Sequence, residues 1–474
     1  HERYLAYILA TRASDRFTVS YSSAHADGGE LQPSIYVSDL NRFCLGLEEE
    51  LHGAFDPLGD CVAPVELFNE YLQAADDSEL LALNDFDLLR PVRARWELIS
   101  HEIGRSTMEE QTRDRVLGDD VGVSVSSLEQ FAECPFKFFA AKTLGADERE
   151  EFEVTPRERG SFQHDILERF HDHIRDSGRH WRDVSIGEAQ ELIARIGEEE
   201  IQRFQHGLFA SEASRKFQAR TMIANLQDLI VAMVGWMKTY AFDPLEMELS
   251  FGNPGDEIPA WKIEPIEGRN VRLRGRIDRL DLLKRDERSW AVIVDYKSSG
   301  KQLEEWKLKN GLQLQLPFYL LALTKIPQIA RQFETDHVVP AGVFYVALRS
   351  YLKSVPHREE RAKTIPFQYS GMFDAELIDF FDSGAASGDN SGQFKYRFNK
   401  DGSPSKRQSE AVPKDQFYAM LERADKRVEE FGGKILNGDI AALPFKHHRD
   451  TACKWCEFRG ICRFDPWEES YRVM

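Results

Sequence analysis

Residues 271 to 297 read Val-Arg-Leu-Arg-Gly-Arg-Ile-Asp-Arg-Leu-Asp-Leu-Leu-Lys-Arg-Asp-Glu-Arg-Ser-Trp-Ala-Val-Ile-Val-Asp-Tyr-Lys. Two β-type runs, Val271 to Leu283 and Trp290 to Tyr296, flank a charged break near Lys284 to Arg288, which predicts antiparallel strands joined by a turn. Ala291 to Val294 is apolar without alternation, as suits a strand buried on both faces. Asp278 and Asp295 are expected at the ends of these strands. Two carboxylates brought together repel, so the ionised pair needs a cation between them. Magnesium fits, because it is satisfied by one or two carboxylates and keeps water for chemistry. Lys297 lies two residues beyond Asp295 and shares its face. There it can orient or deprotonate a metal-bound water, or stabilise charge on a phosphate. Taken alone, the same residues also suit strand-end turns and a solvated edge charge.

Working outward, Leu245 to Phe251 reads as a preceding strand that could lend Glu248 to the site. Arg159-Gly160-Ser161-Phe162-Gln163-His164 opens a helix whose apolar stripe is Phe162, Ile166, Phe170 and Ile174, with His164 beside the stripe. Long helices are expected over Ile186 to Phe209 and Ser214 to Tyr240. Downstream, a helix is expected over Leu312 to Lys325 and a strand over Gly342 to Ala347. Gln315 and Tyr319, four apart, share one face of that helix. The order is helix, three strands, helix, strand.

Taken in this order, His164, Gly275-x-x-Asp278-Arg279, Asp295-x-Lys297 and Gln315-x3-Tyr319 resemble the RecB-like branch of the PD-(D/E)xK nuclease superfamily. The resemblance covers roughly residues 121 to 470 and shows no departure at a catalytic position. It implies an α/β restriction-endonuclease-like core of order αβββαβ, a mixed sheet flanked by helices, with additional helices. It also implies that His164, Asp278 and Asp295 bind a divalent metal, magnesium or manganese, that Lys297 is catalytic, and that Gln315 and Tyr319 help place DNA.

Six cysteines are too few for a disulfide scaffold, and three of them, Cys453-x2-Cys456-x5-Cys462, are bunched at the end. A four-thiolate centre, zinc or iron-sulfur, needs one more ligand, and spacing does not choose among Cys134, Cys44 and Cys61. Cys134-Pro135-Phe136 follows Ser126-Ser127-Leu128-Glu129, which reads as a helix N-terminus, and Leu128, Phe131, Phe136, Phe138 and Phe139 supply apolar surface around it. A lone Cys-Pro-Phe at the start of a nuclease domain with this triplet at its end is similar to the iron-staple domain of AddB-type subunits of AddAB helicase-nucleases. That likeness implies a [4Fe-4S] cluster on Cys134, Cys453, Cys456 and Cys462, with Cys44 and Cys61 as ordinary buried thiols.

The 474 residues carry 61 Lys and Arg against 80 Asp and Glu, a net charge of −19, and 42% hydrophobic residues. This excludes a wholly disordered or collagen-like chain and is ample for two or three domains. The acidity argues against nucleic acid when summed. Between Val271 and Lys284, however, Arg272, Arg274, Arg276, Arg279 and Lys284 outnumber Asp278 and Asp281, while acid gathers at 148–153 and 198–200. The expectation is a basic channel with acidic outer faces. No apolar run is long enough to span a bilayer, so a soluble, intracellular protein is expected, and the resemblance implies a cytoplasmic, nucleoid-associated one.

The chain opens on His1 rather than Met, as expected of a fragment. Thr11-Arg12-Ala13 followed by the predicted strand residues Phe17, Val19 and Tyr21 resembles the sixth motif of superfamily 1 helicases, yet no Gly-x4-Gly-Lys-Ser/Thr phosphate loop occurs. The expected organisation is therefore 1–65 as the tail of a helicase-like remnant, 66–120 as a helical connector, 121–474 as the nuclease domain, and Ser383 to Gly392 as a loop. The implied activity is hydrolysis of a DNA strand during end processing and recombinational break repair, beside an AddA-like helicase partner. The alternatives are a DNA-binding assembly module that does not cut, and a zinc-stapled nuclease outside the AddB group.

Overall fold

The computed structural model describes residues 2–14, 17–22, 31–44, 106–147, 154–285, 288–335, 337–349, 367–385, 392–401, 403–405, 409–462, 464–466 and 470–474. Cys61, the acidic run at 148–153, most of the connector expected over 66–120, and residues 386–391 of the expected loop lie outside them. The chain divides into two compact units, residues 1–103 and 104–474. In the first, α1 (Glu2–Arg12) and α2 (Ile35–Phe43) are helical. Phe17, Val19 and Tyr21 do not form the expected strand. Cys44, expected buried, is exposed, because it follows the last residue of α2 as its C-cap.

The second unit is built on a mixed eight-stranded sheet. Its elements are α3 (Glu110–Leu117), β1 (Asp120–Ser124), α4 (Val125–Glu133), α5 (Pro156–Asp176), α6 (Ile186–Arg203), α7 (Ala213–Trp236), β2 (Asp243–Phe251), β3 (Trp261–Ile266), β4 (Arg269–Arg285), β5 (Arg288–Lys297), α8 (Gln315–Lys325), β6 (His337–Ala347), β7 (Tyr369–Asp374), β8 (Ala411–Val412) and α9 (Lys414–Leu436). β1 and β3 are strands beyond the three expected before α8. The C-terminal strands β9 (Phe445–His447), β10 (Asp450–Thr451) and β11 (Arg472–Val473) form a separate small sheet.

The long strand β4 organises the main sheet. Its first half pairs with β1 and β3, and its second half with β2 and β5. The predicted hairpin is present, running from Arg279 opposite Val294 to Arg285 opposite Arg288. β5 then pairs in parallel with β6. The unalternating apolar run in β5 has a direct cause. Val292, Val294 and Tyr296 pack into a core with α5, α6 and α7, while Ala291 and Ile293 pack into a second core with α4, α8 and α9. Each such aliphatic side chain contributes roughly 1.5–3 kcal/mol on burial, so neither face tolerates polarity.

Helix α5 starts as its sequence dictates. Thr155 accepts from the Glu158 N–H while the Glu158 side chain accepts from the Thr155 N–H, and Pro156 occupies the first turn. Phe162, Ile166, Phe170 and Ile174 are fully buried on one stripe, as the periodicity predicts. One turn of that stripe also buries His171. The Trp181 indole N–H donates to His171 Nδ1 at 3.2 Å, so Nε2 carries the proton and donates to the Leu245 carbonyl at 3.2 Å.

Burial drives the His171 pKa down to about 4, only partly offset by that carbonyl. The unfolded chain therefore takes up a proton at this site that the folded chain refuses as pH falls below 6.5. The predicted cost is up to ~3 kcal/mol of stability between pH 6.5 and 4. Urea unfolding across that range should show this loss in wild type, and His171→Gln, which titrates nowhere in the window, should lack that part of the slope.

Candidate active site

Along β2, Met247 packs into the core with α5 to α7, whereas Leu249 packs into the opposite core. Residues two apart on a regular strand share a face, so β2 turns over at Glu248. The backbone there has φ of +51°, a left-handed conformation unusual for glutamate. β4 turns over at the facing position. Ile277 lies in the core with α8, while Arg279 points the other way, over the Trp181 ring at 5.0 Å. Glu248 and Asp278 are the residues at which the two strands change face, so both carboxylates leave the cores at the same place.

At that point β4 also parts from β5. The ladder ends at Arg279 and Val294, and the Tyr296 N–H donates to Asp278 Oδ2 at 2.8 Å instead of to a strand carbonyl. Asp278 is therefore mid-strand in β4 rather than at a strand end as expected. Asp295 is close to the end of β5, as expected.

Elements from both sides of the sheet converge on this fork. From α5, His164 Nδ1 lies 2.8 Å from Glu248 Oε1, and Nε2 lies 3.3 Å from the Tyr296 carbonyl and 3.7 Å from Asp278 Oδ2. One donor atom from each of His164, Glu248 and Asp278 lies within 4.8 Å of the others, a set able to hold a hard divalent ion. From the other side, Lys297 Nζ lies 2.5 Å from Asp295 Oδ2 and donates to Gln315 Oε1 at 3.0 Å. The Asp295 contact is an ion pair without hydrogen-bond geometry, and both Asp295 oxygens are fully buried with no hydrogen-bond donor. The Lys297 ammonium supplies a cation to this buried carboxylate, and the remaining lone pairs of its oxygens leave room for another.

The electrostatics agree. Burial, reinforced by the nearby Asp295 carboxylate, raises the Asp278 pKa. Burial alone would lower His164, but Asp278, Glu248 and Asp295 outweigh it and lift it to about 9. The two shifts are mutual, since each group favours a proton held between them. Lys297 is likewise raised, because Asp295 and Asp278 outweigh its burial.

The structure brings His164, Glu248, Asp278, Asp295, Lys297, Gln315 and Tyr319 to one region. Tyr319 is buried against the β4 backbone at Gly275, and burial, followed by Asp278 and Asp295, raises its phenol pKa. Beside it opens a cavity of about 510 Å³ lined by Arg274, Arg276, Gln315 and Tyr319. The basic stretch read in the sequence is only partly surface. Arg274 and Arg276 face the cavity, but Arg279 is wholly buried in a double ion pair with Asp281, both contacts at 2.6 Å, and Arg272 pairs with Asp120 at 2.8 Å. Glu129 of α4 also reaches the site, a role not foreseen, since its partners on α8 are distant in sequence.

The four cysteines of the resemblance are not clustered, although Cys453 feels the charge of the other three. Burial, then Cys134, Cys462 and Cys456 in that order, raises the Cys453 thiol pKa. Around them the unit's two ends are joined, with the Phe136 N–H donating to the Ala441 carbonyl at 3.0 Å and Arg472 donating to the Ala132 carbonyl. No three of these sulfurs lie within 4.8 Å of one another.

A forked mixed sheet with an acidic and histidine set beside Asp-x-Lys defines a class, and the profile of the PD-(D/E)XK nuclease superfamily matches residues 122–463. The chain belongs to this superfamily. It is similar to the B-type subunits of the ATP-dependent helicase/deoxyribonucleases of Moorella thermoacetica (30% identical over 98% of this chain and 42% of the relative), of Clostridium tetani (29%, 98% and 42%) and of Acetivibrio thermocellus (28%, 98% and 42%). The chain thus spans about two fifths of the length of these relatives. Among the described residues, no helix is long and apolar enough to cross a membrane.

The close fit of Tyr319 is testable. A Cβ at position 275 would meet Tyr319 Cε1 at 2.7 Å and Phe251 Cζ at 3.0 Å. Gly275→Ala should therefore cost about 1–3 kcal/mol by overpacking. Combining it with Tyr319→Leu should recover part of that loss in thermal unfolding.

Proposed function

We propose that the chain is the nuclease-bearing part of an AddB-type protein, a divalent-metal-dependent deoxyribonuclease that cuts a DNA strand, single or being unwound, in end processing and recombinational repair. The observation that carries this reading is the His164, Glu248 and Asp278 group with the buried Asp295 and Lys297 ion pair next to it. His164, Asp278 and Asp295 would hold magnesium or manganese, with Glu248 as a further ligand or as the group that orients the His164 ring. When bound, the metal supplies charge neutralisation at the scissile phosphate and lowers the pKa of a water. The chain's own residues do the rest. Glu248 fixes the imidazole through Nδ1 and leaves Nε2 directed at Asp278. Gln315 and Asp295 hold the Lys297 ammonium where it can stabilise charge developing on a phosphate oxygen. Arg274, Arg276 and Tyr319 would line the path of the strand.

The relatives' names support a partner helicase, here an AddA-like chain in the cytoplasm at the nucleoid. Residues 1–65 would be the tail of the helicase-like portion, 66–120 a connector and 121–474 the nuclease domain. The four cysteines would hold a structural [4Fe-4S] cluster joining the ends of that domain. A zinc tetrahedron needs sulfurs about 3.8 Å apart, from Zn–S bonds near ~2.3 Å, whereas a cubane spreads them more widely. No three of these sulfurs lie within 4.8 Å of one another, so their positions choose neither centre, and metal analysis decides between them.

Two measurements test the reading. Single-stranded DNA cleavage with magnesium should fall about 10²–10³-fold in Asp278→Ala, Asp295→Ala and Lys297→Ala, and activity equal to wild type would reject the assignment and favour a module that does not cut. Anaerobically purified protein should be brown with about four irons per chain. A colourless protein with stoichiometric zinc would reject the cluster.

A further inference from the structure

Helix α8 carries Gln315 at its first residue and Tyr319 one turn on, so the aim of both depends on how its N-terminus is held. Its own sequence supplies no hold. The preceding Leu314 has no side-chain capping bond, and no acidic residue lies in the first turn. An uncapped helix start leaves several N–H groups without partners. Here the missing acceptor arrives from 185 residues upstream. Glu129 Oε1, on α4, accepts from the Leu314 N–H at 2.7 Å and the Gln315 N–H at 3.0 Å. A carboxylate at this place is favoured both by the hydrogen bonds and by the helix dipole.

The Gln315 whose backbone is held in this way also accepts the Lys297 ammonium through its side-chain oxygen at 3.0 Å, and Lys297 in turn lies 2.5 Å from Asp295. The contacts form an unbroken chain from α4 through the first turn of α8 to the lysine and the orphaned carboxylate. Glu129 also lines the cavity beside Tyr319 and Arg276, but it has already spent one oxygen on the helix start.

We propose that Glu129 is a positioning residue for phosphodiester hydrolysis: it anchors the first turn of α8 so that Gln315 holds the Lys297 ammonium in register with Asp295. The proposal rests on the nuclease reading above. A displacement of about 1 Å in such a group can cost about 10²-fold in rate without weakening substrate binding.

Two substitutions separate reach from charge. Glu129→Gln removes the charge but keeps an oxygen at the same distance, whereas Glu129→Asp keeps the charge but withdraws the carboxylate by one methylene. In steady-state cleavage of single-stranded DNA by the full chain with magnesium, Glu129→Gln should stay within about 3-fold of wild-type kcat. Glu129→Asp should lose about 10- to 100-fold in kcat with KM within about 2-fold. Gln315→Ala should lose a similar factor, and adding Glu129→Asp to it should cost little more, because both break one chain of contacts. Amide exchange at Leu314 and Gln315 should quicken in Glu129→Asp and not in Glu129→Gln.

Wild-type kcat in Glu129→Asp, equal losses in the two variants, or losses that multiply with Gln315→Ala would each overturn the proposal. Absence of cleavage by wild type is a separate result, which overturns the nuclease reading itself and this inference with it.

Discussion

The second unit is organised around an electrostatic problem: Glu248 and Asp278 are grouped with His164, and Asp295 lies near enough to raise the Asp278 pKa, in a largely dry place where like charges repel. The protein meets it with basic groups from both faces of the sheet, the His164 imidazole, whose pKa the carboxylates raise, from one side and the Lys297 ammonium from the other. Asp295 still lacks hydrogen-bond donors. Lone pairs left uncommitted in this way are what a bound cation, as proposed above, would take up.

The geometry that permits it is the fork at β4. A regular ladder would have spent the Tyr296 N–H on a strand carbonyl and pointed Glu248 and Asp278, which lie opposite each other on β2 and β4, together into one core. Because β2 and β4 both turn over at these residues, the carboxylates meet at an edge open to helices on either side, at the cost of a left-handed glutamate backbone. Strain of this kind persists where surrounding packing determines the conformation, and Met247, Leu249, Ile277 and Arg279 are all buried. Helix α4 ties this centre to the chain ends, since it presents Glu129 to α8 and finishes at Cys134, beside the C-terminal cysteines.

Much of this was legible in the linear chain. The apolar stripe of α5, the doubly buried run in β5 and the hairpin between β4 and β5 follow from periodicity, because a helix or a strand repeats its environment at a fixed interval. The ordered motifs were readable for a related reason, since each active-site side chain sits at a short, fixed spacing from a recognisable partner. Periodicity was silent on β3 and on the buried fate of Arg279. An arginine two residues from an aspartate on a strand reads as surface charge until Trp181, Tyr240 and Tyr296 are seen to enclose the pair. Cys44 went the other way, because a helix end offers no burial of its own.

By itself, then, the sequence determined the class of fold, the candidate site residues and the likeness to a nuclease, all of which are carried by local spacing. Only the tertiary structure decided that Asp278 lies mid-strand, that Glu248 joins His164 and Asp278 in one group, and that a glutamate on α4 anchors the helix bearing Gln315. These are contacts between residues far apart in the chain, Glu129 and Leu314 by 185 positions, or changes of strand face. They depend on where β4 leaves β5 and on which helices pack at the fork, and no local pattern of side chains records that.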